Sequence, residues 1–213
     1  MKLQLVLKCI PELNGFLRCG RAGALLYLLL RTSATPSIRF ILTFSLNWKL
    51  AHGVLYTAQR LASFRLPVPL PCFCGAPVES LDPFFFYCPL AYSVLSWLQS
   101  LMFSFSFMCP ALLLHHVHFG FSSDELCATP RVLVYLLNLC KFFIWQFRDD
   151  FRFRYVPPGA VDVIAKVKSR LKCHVPVLFK RFQSSRCPRY FHRRWGARCV
   201  VASVNGSHLS IVL

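Results

Sequence analysis

Acidic residues are what this sequence has least of. Its 213 residues include 8 Asp and Glu against 25 Lys and Arg, which leaves a formal net charge of +17 at pH 7. After Asp162 there is no acidic residue at all. Such an excess of positive charge favours a polyanionic partner, either the phosphates of nucleic acid or an anionic membrane surface.

Catalytic constellations are missing as well. The sequence has no Gly-rich phosphate-binding loop, no nucleophile elbow and no pair of carboxylates in a setting suited to acid–base chemistry. Asp149 and Asp150 in "FRDD" superficially match a polymerase turn, but two-metal catalysis needs further carboxylates and a hairpin. We interpret this pair as a solvated helix end. The chain is therefore predicted not to be an enzyme, and no small-molecule substrate is evident.

Lys and Arg are absent from residues 66–130, although residues 1–65 carry nine of them and residues 131–213 carry sixteen.

The eleven cysteines are scattered and odd in number, and "LQLVL" near the amino terminus is too short for a secretory signal. We therefore expect a reducing compartment, the cytoplasm or the nucleus, in which most thiols are buried or incidental.

One long uncharged run supports a competing interpretation. Residues 90–109, "LAYSVLSWLQSLMFSFSFMC", have about the length that spans a bilayer, although five serines and Gln99 interrupt them. A small single-span membrane protein with two basic flanks is therefore the main alternative. The chain would then have a membrane location. A separate alternative is that the basic amphipathic helix near the carboxyl end rests on anionic lipid.

Periodicity in the sequence predicts a mainly α fold. Helical patterns cover residues 47–61, 90–107 and 130–146, and an amphipathic helix follows from Val161, kinked or broken at Pro176. Asn205-Gly206 lies between two short apolar runs and predicts a β-hairpin. The expected architecture is a small irregular helical domain with a cysteine knuckle-like loop and a short carboxyl-terminal hairpin. Its regions are a poorly specified segment 1–46, a cysteine-containing region 47–127, and a helical region with a basic tail 128–213.

The stretch "LPCFCGAPVESLDPFFFYC" contains three candidate zinc ligands but no histidine to complete a tetrahedron. Together with "WKLAHGVLYTAQRL" before it and "PLAYSVLSWL" after it, this stretch resembles the zinc-binding region that follows the polymerase in reverse transcriptases of non-LTR retrotransposons. The resemblance covers about Trp48 to Trp97. It extends more loosely to "LLNLCKFFIWQFRDDFRFR" and "RYFHRRWGARCVVASV", which resemble the tail of such elements. What the resemblance implies is a degenerate fragment without polymerase or endonuclease.

The resemblance also implies a ligand set for zinc. Cys74 and Cys88 take the places of the second and last cysteines of the family pattern, whereas Cys72 is displaced by one position. The family histidine would fall near Pro83, which cannot ligate a metal. Asp82 could lend an oxygen in its place. The alternative is a decayed knuckle whose thiols merely pack, and the nearby residues His115, His116 and His118 are interpreted as surface or core histidines.

The basic tail is the predicted nucleic-acid site. "FKRFQSSRCPRYFHRRWGAR" interleaves cations with aromatic rings, a combination that neutralises phosphates and stacks on bases. A solvated cationic face with its aromatic residues in a small core is an equally compatible interpretation. We expect a non-catalytic fragment that binds RNA or DNA through this tail, or else the membrane protein described above or a decayed reading frame without a selected function. The predicted contact residues are Lys180, Arg181, Arg186, Arg189, Arg193, Arg194, Trp195 and Arg198.

Overall fold

The structure, a computed structural model, describes residues 38–69, 71–105, 111–157, 159–184, 191, 201–205 and 208–212. The chain divides into two compact units, Met1–Trp48 and Lys49–Leu213. Of the first unit only residues 38–48 are described, and they belong to one helix. Apart from residues 47 and 48, the predicted regions 47–127 and 128–213 both fall in the second unit.

Helices dominate the described residues, so the predicted fold class is confirmed. The helices are α1 Ile38–Ala51, α2 Ala58–Ser63, α3 Pro89–Phe105, α4 Leu114–Phe119, α5 Ser123–Ala128, α6 Arg131–Arg154 and α7 Ala160–Ser184. A π-helical turn covers Pro83–Tyr87, so the second half of the cysteine stretch is helical and not loop as expected. Two short strands follow the helices, β1 Ala202–Asn205 and β2 His208–Ile211.

The single helix predicted over residues 47–61 is wrong, because α1 ends at Ala51 and α2 begins at Ala58. Gly53 explains the interruption. Its φ of 61° lies in the left-handed region, which a residue without a Cβ adopts at little cost. The amides of Gly53 and Val54 donate back to carbonyls of the last turn of α1, at 3.0 and 2.9 Å. These two bonds form a Schellman motif, which satisfies the end of α1 and turns the chain away from its axis.

Helices α3, α6 and α7 pack against one another and form the main core of the second unit. Each contributes apolar side chains at spacings of three and four residues, as an amphipathic helix requires. Burying one such Val or Leu side chain stabilises the fold by roughly 1.5–3 kcal/mol relative to leaving it exposed. The buried stripes comprise Val132, Leu133, Leu136, Leu137, Cys140, Phe143 and Ile144 on α6, and Val163, Val167, Leu171, Val175 and Leu178 on α7.

Helix α7 continues through Pro176, where a kink or a break was expected from the sequence. The helix runs from Ala160 to Ser184 with this proline inside it, so a break is wrong, whereas a kink stays a prediction. Proline removes one backbone donor and strains the preceding turn. Val175 and Leu178, on either side of it, are buried in the core. Tertiary packing on this face therefore keeps the helix together despite the missing hydrogen bond.

The predicted hairpin is present. β1 and β2 pair antiparallel, with Ala202 opposite Ile211 and Asn205 opposite His208. Asn205 is thus the last paired residue of β1 and not a central residue of the expected Asn-Gly turn, and Gly206 lies outside the described residues.

None of the described helices is long and apolar enough to cross a membrane. Of the candidate span 90–109, residues 90–105 belong to α3, whereas residues 106–109 lie outside the described part of the chain.

A buried carboxylate attaches the cysteine loop to α6. Glu79 is 0% exposed and Arg148 is 2% exposed. Nε of Arg148 donates to both Glu79 oxygens at 3.1 Å, and Nε and Nη2 of Arg152 donate to Oε2 at 3.1 and 3.0 Å. The amide of Ala58, at the start of α2, donates to Oε1 at 3.1 Å. We refer to Glu79, Arg148 and Arg152 as the Glu79 cluster.

The two arginines of the Glu79 cluster also donate hydrogen bonds to backbone carbonyls near the cysteine loop. Arg152 donates to the carbonyls of Pro69 and Pro71 at 3.0 and 3.3 Å, and Arg148 donates to the carbonyl of Tyr56 at 3.1 Å. Removing charges from water costs several kcal/mol for each ion, so charges buried this deeply require such a set of partners. The C-terminal part of α6 thereby fixes the segments on both sides of the cysteine turn.

The Glu79 cluster generates a stability prediction. Glu79→Gln leaves two arginines in a buried site without their shared anion, so the free energy of unfolding should fall by about 3–5 kcal/mol. Asp150→Asn is the matched control, because it removes an ion pair with Arg154, whose side chain is 75% exposed, and should cost less than about 1 kcal/mol. Urea denaturation followed by circular dichroism measures both. Equal, small losses would contradict the anchoring role of the cluster.

Candidate metal centre

The first two cysteines lie on a tight turn. The amide of Gly75 donates to the carbonyl of Cys72 at 3.0 Å, and the amide of Cys72 donates to the carbonyl of Ala76 at 2.9 Å. Gly75 has a φ of 90°, which side chains with a Cβ rarely tolerate. This turn exposes amides toward the sulfurs: that of Cys74 hydrogen-bonds Sγ of Cys72, and that of Ala76 hydrogen-bonds Sγ of Cys74.

The third cysteine lies between two helical segments. Cys88 follows the π-helical turn and immediately precedes α3, and its carbonyl accepts the amide of Tyr92 at 2.8 Å. Its sulfur accepts hydrogen bonds from the amides of Leu90 and Ala91. Amides at a helix start are otherwise without intrahelical partners and favour a negative charge. Cys88 is therefore in a setting that stabilises a thiolate.

The structure brings the three predicted thiols together. The sulfurs of Cys72, Cys74 and Cys88 all lie within 4.8 Å of one another. Cys72 and Cys88 are buried, with 5% and 1% exposure, whereas Cys74 is half-buried. The site can thus hold a metal ion, and thiolates are the ligands that zinc and other soft ions prefer.

A hydrogen bond from the thiol of Cys72 to the sulfur of Cys88 shifts the pKa values of both groups. Donation to Cys88 raises the pKa of the Cys72 thiol, and burial raises it further. The same bond lowers the pKa of Cys88, against the opposing effect of its burial. Burial also raises the pKa of Cys74. Cys88 is accordingly the sulfur that ionises first, and a bound cation would have to displace the remaining protons.

Aromatic side chains of the cysteine loop and α6 pack together beside the thiol site, and we refer to them as the aromatic wall. Phe73, between the two turn cysteines, packs edge-on against Phe84 and tilted against Phe151, with ring centroids 6.2 and 5.5 Å apart. Phe84 and Phe85 both contact Trp145 on α6. The guanidinium of Arg148 lies 4.4 Å from the centroid of the Trp145 ring, so the wall and the Glu79 cluster are continuous.

Asp82, the proposed oxygen ligand, is not part of the thiol group. Its carboxylate oxygen lies 3.2 Å from Nε2 of His118, and its side chain is 57% exposed. Burial lowers the pKa of His118, and the charge of Asp82 opposes that shift. Among the described residues, the site around the three sulfurs therefore has three protein ligands. Zinc bound there would keep a fourth position for water or an added ligand, as in open zinc sites.

A second group of ligand-type side chains was missed by the sequence analysis. His115, His116 and Glu125 lie close enough to hold an ion. The amide of Leu113 donates to Nδ1 of His116 at 2.9 Å, so the ring proton is on Nε2, which donates to Glu125 at 2.8 Å. Both nitrogens of the buried His116 are thus engaged, and neither offers a lone pair to a metal. This group joins α4 to α5 and is structural.

Glu125 has a further part in this second group. Its carboxylate accepts the amide of Ser122, and the Ser122 hydroxyl accepts the amide of Glu125, which forms a capping box at the start of α5. The hydrogen bond from His116 and those from Ser122 lower the pKa of Glu125 to about 2. The spacing of Ser122 and Glu125 signals the start of α5, but no local pattern signals the bond to His116.

Most of the predicted nucleic-acid residues lie outside the described part of the chain. Lys180 is exposed on α7, and Arg181 belongs to the same helix. The remaining predicted contacts, Arg186, Arg189, Arg193, Arg194, Trp195 and Arg198, lie outside the described residues.

Comparisons of the chain with protein-family models, with curated proteins and with solved structures find no match.

A buried lysine on α6 generates a pH prediction. Lys141 is 2% exposed, and its ammonium donates to the carbonyl of Val117 on α4 at 3.1 Å. Burial lowers its pKa to about 7. Between pH 7 and about 10.4, the ordinary lysine value, the unfolded chain therefore binds more protons than the native one, so stability rises with pH.

This contribution is isolated by comparing the wild type with Lys141→Met over pH 7–10. The difference in unfolding free energy should shift in favour of the wild type by up to about 1.4 kcal/mol per pH unit. Urea titrations at each pH measure the difference, and titrating cysteines and tyrosines cancel because both proteins contain them. A difference that is independent of pH would contradict a lowered pKa.

Proposed function

We propose that this chain is a non-catalytic nucleic-acid-binding module, related to the zinc-binding region of non-LTR retrotransposon reverse transcriptases. Its cysteine loop binds zinc through Cys72, Cys74 and Cys88, and its basic carboxyl-terminal part binds RNA or DNA. The observation that carries the proposal is the convergence of three sulfurs, from two separate segments, within 4.8 Å.

Several features of the loop suit a chelate beyond the proximity of its sulfurs. The Gly75 turn directs amides at Cys72 and Cys74, and the start of α3 directs amides at Cys88. Amide hydrogen bonds stabilise the thiolate, which is the form that binds metal. Reduced thiols of this kind fit the cytoplasm or the nucleus, where glutathione keeps cysteines reduced.

The described part of the basic region provides cations for a polyanion. Lys166, Lys172 and Lys180 are exposed on α7, while the opposite face of this helix is buried against the core. The one acid of α7, Asp162, lies in its first turn, where it complements the helix dipole. The remaining length of α7 is therefore positive, and it leads directly into the basic aromatic tail.

Metal binding is tested on the reduced, metal-free full-length chain. We expect one equivalent of Zn²⁺ or Co²⁺, with a sulfur-to-cobalt charge-transfer band. Cys74→Ser and Cys88→Ser should each lower the affinity at least about tenfold, because even groups that only support a ligand have effects of this size. Cys173→Ser, which alters an exposed thiol on α7, is the control and should bind like the wild type. Equal and negligible metal in all four proteins would refute the site.

The proposed relation to the reverse-transcriptase family is tested by introducing a histidine at Pro83, near which the resemblance places the fourth zinc ligand. Pro83→His should raise zinc affinity above that of the wild type, because a fourth nitrogen or sulfur ligand closes the tetrahedron. Pro77→His, at an exposed proline of the same loop, is the control. No gain in Pro83→His, with the helical circular dichroism intact, would count against the kinship while leaving the three-thiolate site in place.

Nucleic-acid binding is tested by its salt dependence. Affinity for a single-stranded RNA or DNA oligonucleotide should fall steeply with added salt, because phosphate contacts release counterions. The triple variant Lys166→Gln, Lys172→Gln, Lys180→Gln should bind more weakly, with a salt slope smaller by about 1 for each phosphate that it no longer neutralises. Val177→Gln, an exposed change on the same helix, should match the wild type. Affinity that salt does not change, or partition into anionic vesicles without oligonucleotide binding, would overturn this function.

A further inference from the structure

The thiol group has a chemical capacity beyond metal binding, because its members are close enough to react with one another. The sulfurs of Cys72, Cys74 and Cys88 all lie within 4.8 Å of one another. Cys140 and Cys173, the other cysteines whose side chains the structure describes, lie on α6 and α7 outside this group. Oxidation within the described residues should therefore be selective for the three-thiol site.

The three thiols differ in accessibility and in the ring that a bond would close. Cys72 and Cys88 are almost fully buried, whereas Cys74 is half-buried and is the one that a small oxidant reaches first. A bond between Cys72 and Cys74 would enclose a single residue and distort the turn that the Gly75 amide closes. A bond between Cys72 and Cys88 would join two sulfurs that lie within 4.8 Å of each other on separate segments.

We propose that a hydroperoxide converts Cys72 and Cys88 into a disulfide, so that oxidation switches the site between a metal-binding group of three thiols and a metal-free cross-link. This regulation rests on the zinc-binding function proposed above, but the disulfide itself needs no metal. Formation of the disulfide removes two of the three thiolates and links the cysteine turn covalently to the start of α3.

The reaction balances in three steps. The terminal oxygen of a hydroperoxide, ROOH, passes to the Cys74 sulfur, which becomes a sulfenic acid as ROH leaves. The Cys88 sulfur attacks the Cys74 sulfur, and the hydroxyl departs as water with the thiol proton. The Cys72 sulfur then displaces Cys74 from Cys88, and its proton passes to Cys74. The net change is two thiols and one hydroperoxide to one disulfide, one ROH and one water.

The sequence allows the bond to be identified without ambiguity. Trypsin leaves all three cysteines in one peptide, because residues 66–130 contain no Lys or Arg. Cleavage after Glu79 separates Cys88 from the other two, and chymotrypsin cleavage after Phe73 separates Cys72 from Cys74. Both cleavages together place Cys72, Cys74 and Cys88 on three fragments, and chymotrypsin cleavage after Phe105 separates Cys88 from Cys109, so that only a disulfide keeps two fragments joined in the mass spectrum.

The experiment treats reduced full-length chain with hydrogen peroxide, quenches it by alkylation and maps the fragments. We expect the Cys72 and Cys88 fragments to be joined by a disulfide. Cys140 and Cys173 should be alkylated, which shows that their thiols remain reduced. Cys74→Ser should slow the formation of this bond at least about tenfold, since it removes the accessible sulfur, whereas Cys173→Ser should not change the rate. Pre-loading with Zn²⁺ should slow the reaction, and oxidised protein should lose its zinc.

Two results would overturn the proposal. One is full alkylation of Cys72 and Cys88 under conditions in which Cys173 is oxidised, and the other is a disulfide-bonded protein that still retains its zinc. Failure of the proposed zinc function gives a different result. The reduced protein would then bind no metal, while joined Cys72 and Cys88 fragments from the metal-free protein would still support the disulfide.

Discussion

The carboxylate of Glu79 is the constraint on which the cysteine site depends. It is fully buried and hydrogen-bonded to Arg148 and Arg152, which also donate to the backbone carbonyls of Tyr56 and Pro69, before the cysteine turn. A charge in this position is favourable only if every partner is in place, because its desolvation must be offset by several bonds at once. The turn cysteines and α6 are thereby coupled: any arrangement that moves the loop away from α6 leaves buried charges unpaired.

This anchoring makes the loop less dependent on a metal than small zinc modules are. In such modules the free energy of metal binding is the free energy of folding, and a lost ligand unfolds the structure. Here an aromatic wall of Phe73, Phe84 and Trp145 and the Glu79 cluster hold the same segments without an ion. A chain with such supports can lose one ligand and keep the remaining three sulfurs together. Under the proposed kinship, this accounts for a converged thiol site beside a proline at the histidine position.

Local patterns in the sequence predicted those features whose causes are local. The apolar period of α7 and the hairpin both depend on residues a few positions apart. The helix break at Gly53 was not predicted, because the surrounding apolar residues keep a helical spacing that gives no sign of the left-handed φ of this glycine. The bond from Arg148 to Glu79, 69 residues apart, could not be read from any local pattern, nor could the partner of Asp82. Each of these depends on which elements pack together.

The placement of the acids also accounts for where the positive charge of the chain lies. Several acids pair with other side chains, since Glu79 binds two arginines, Glu125 binds His116 and Asp82 lies beside His118. Residues 66–130 contain no Lys or Arg of their own, so Glu79 takes its cations from α6. Acids used in this way cannot neutralise the outer face of α7, whose exposed lysines face solvent with Asp162 as the helix's one acid. The carboxyl-terminal helix therefore keeps its positive charge, and the proposed binding of nucleic acid rests on that charge.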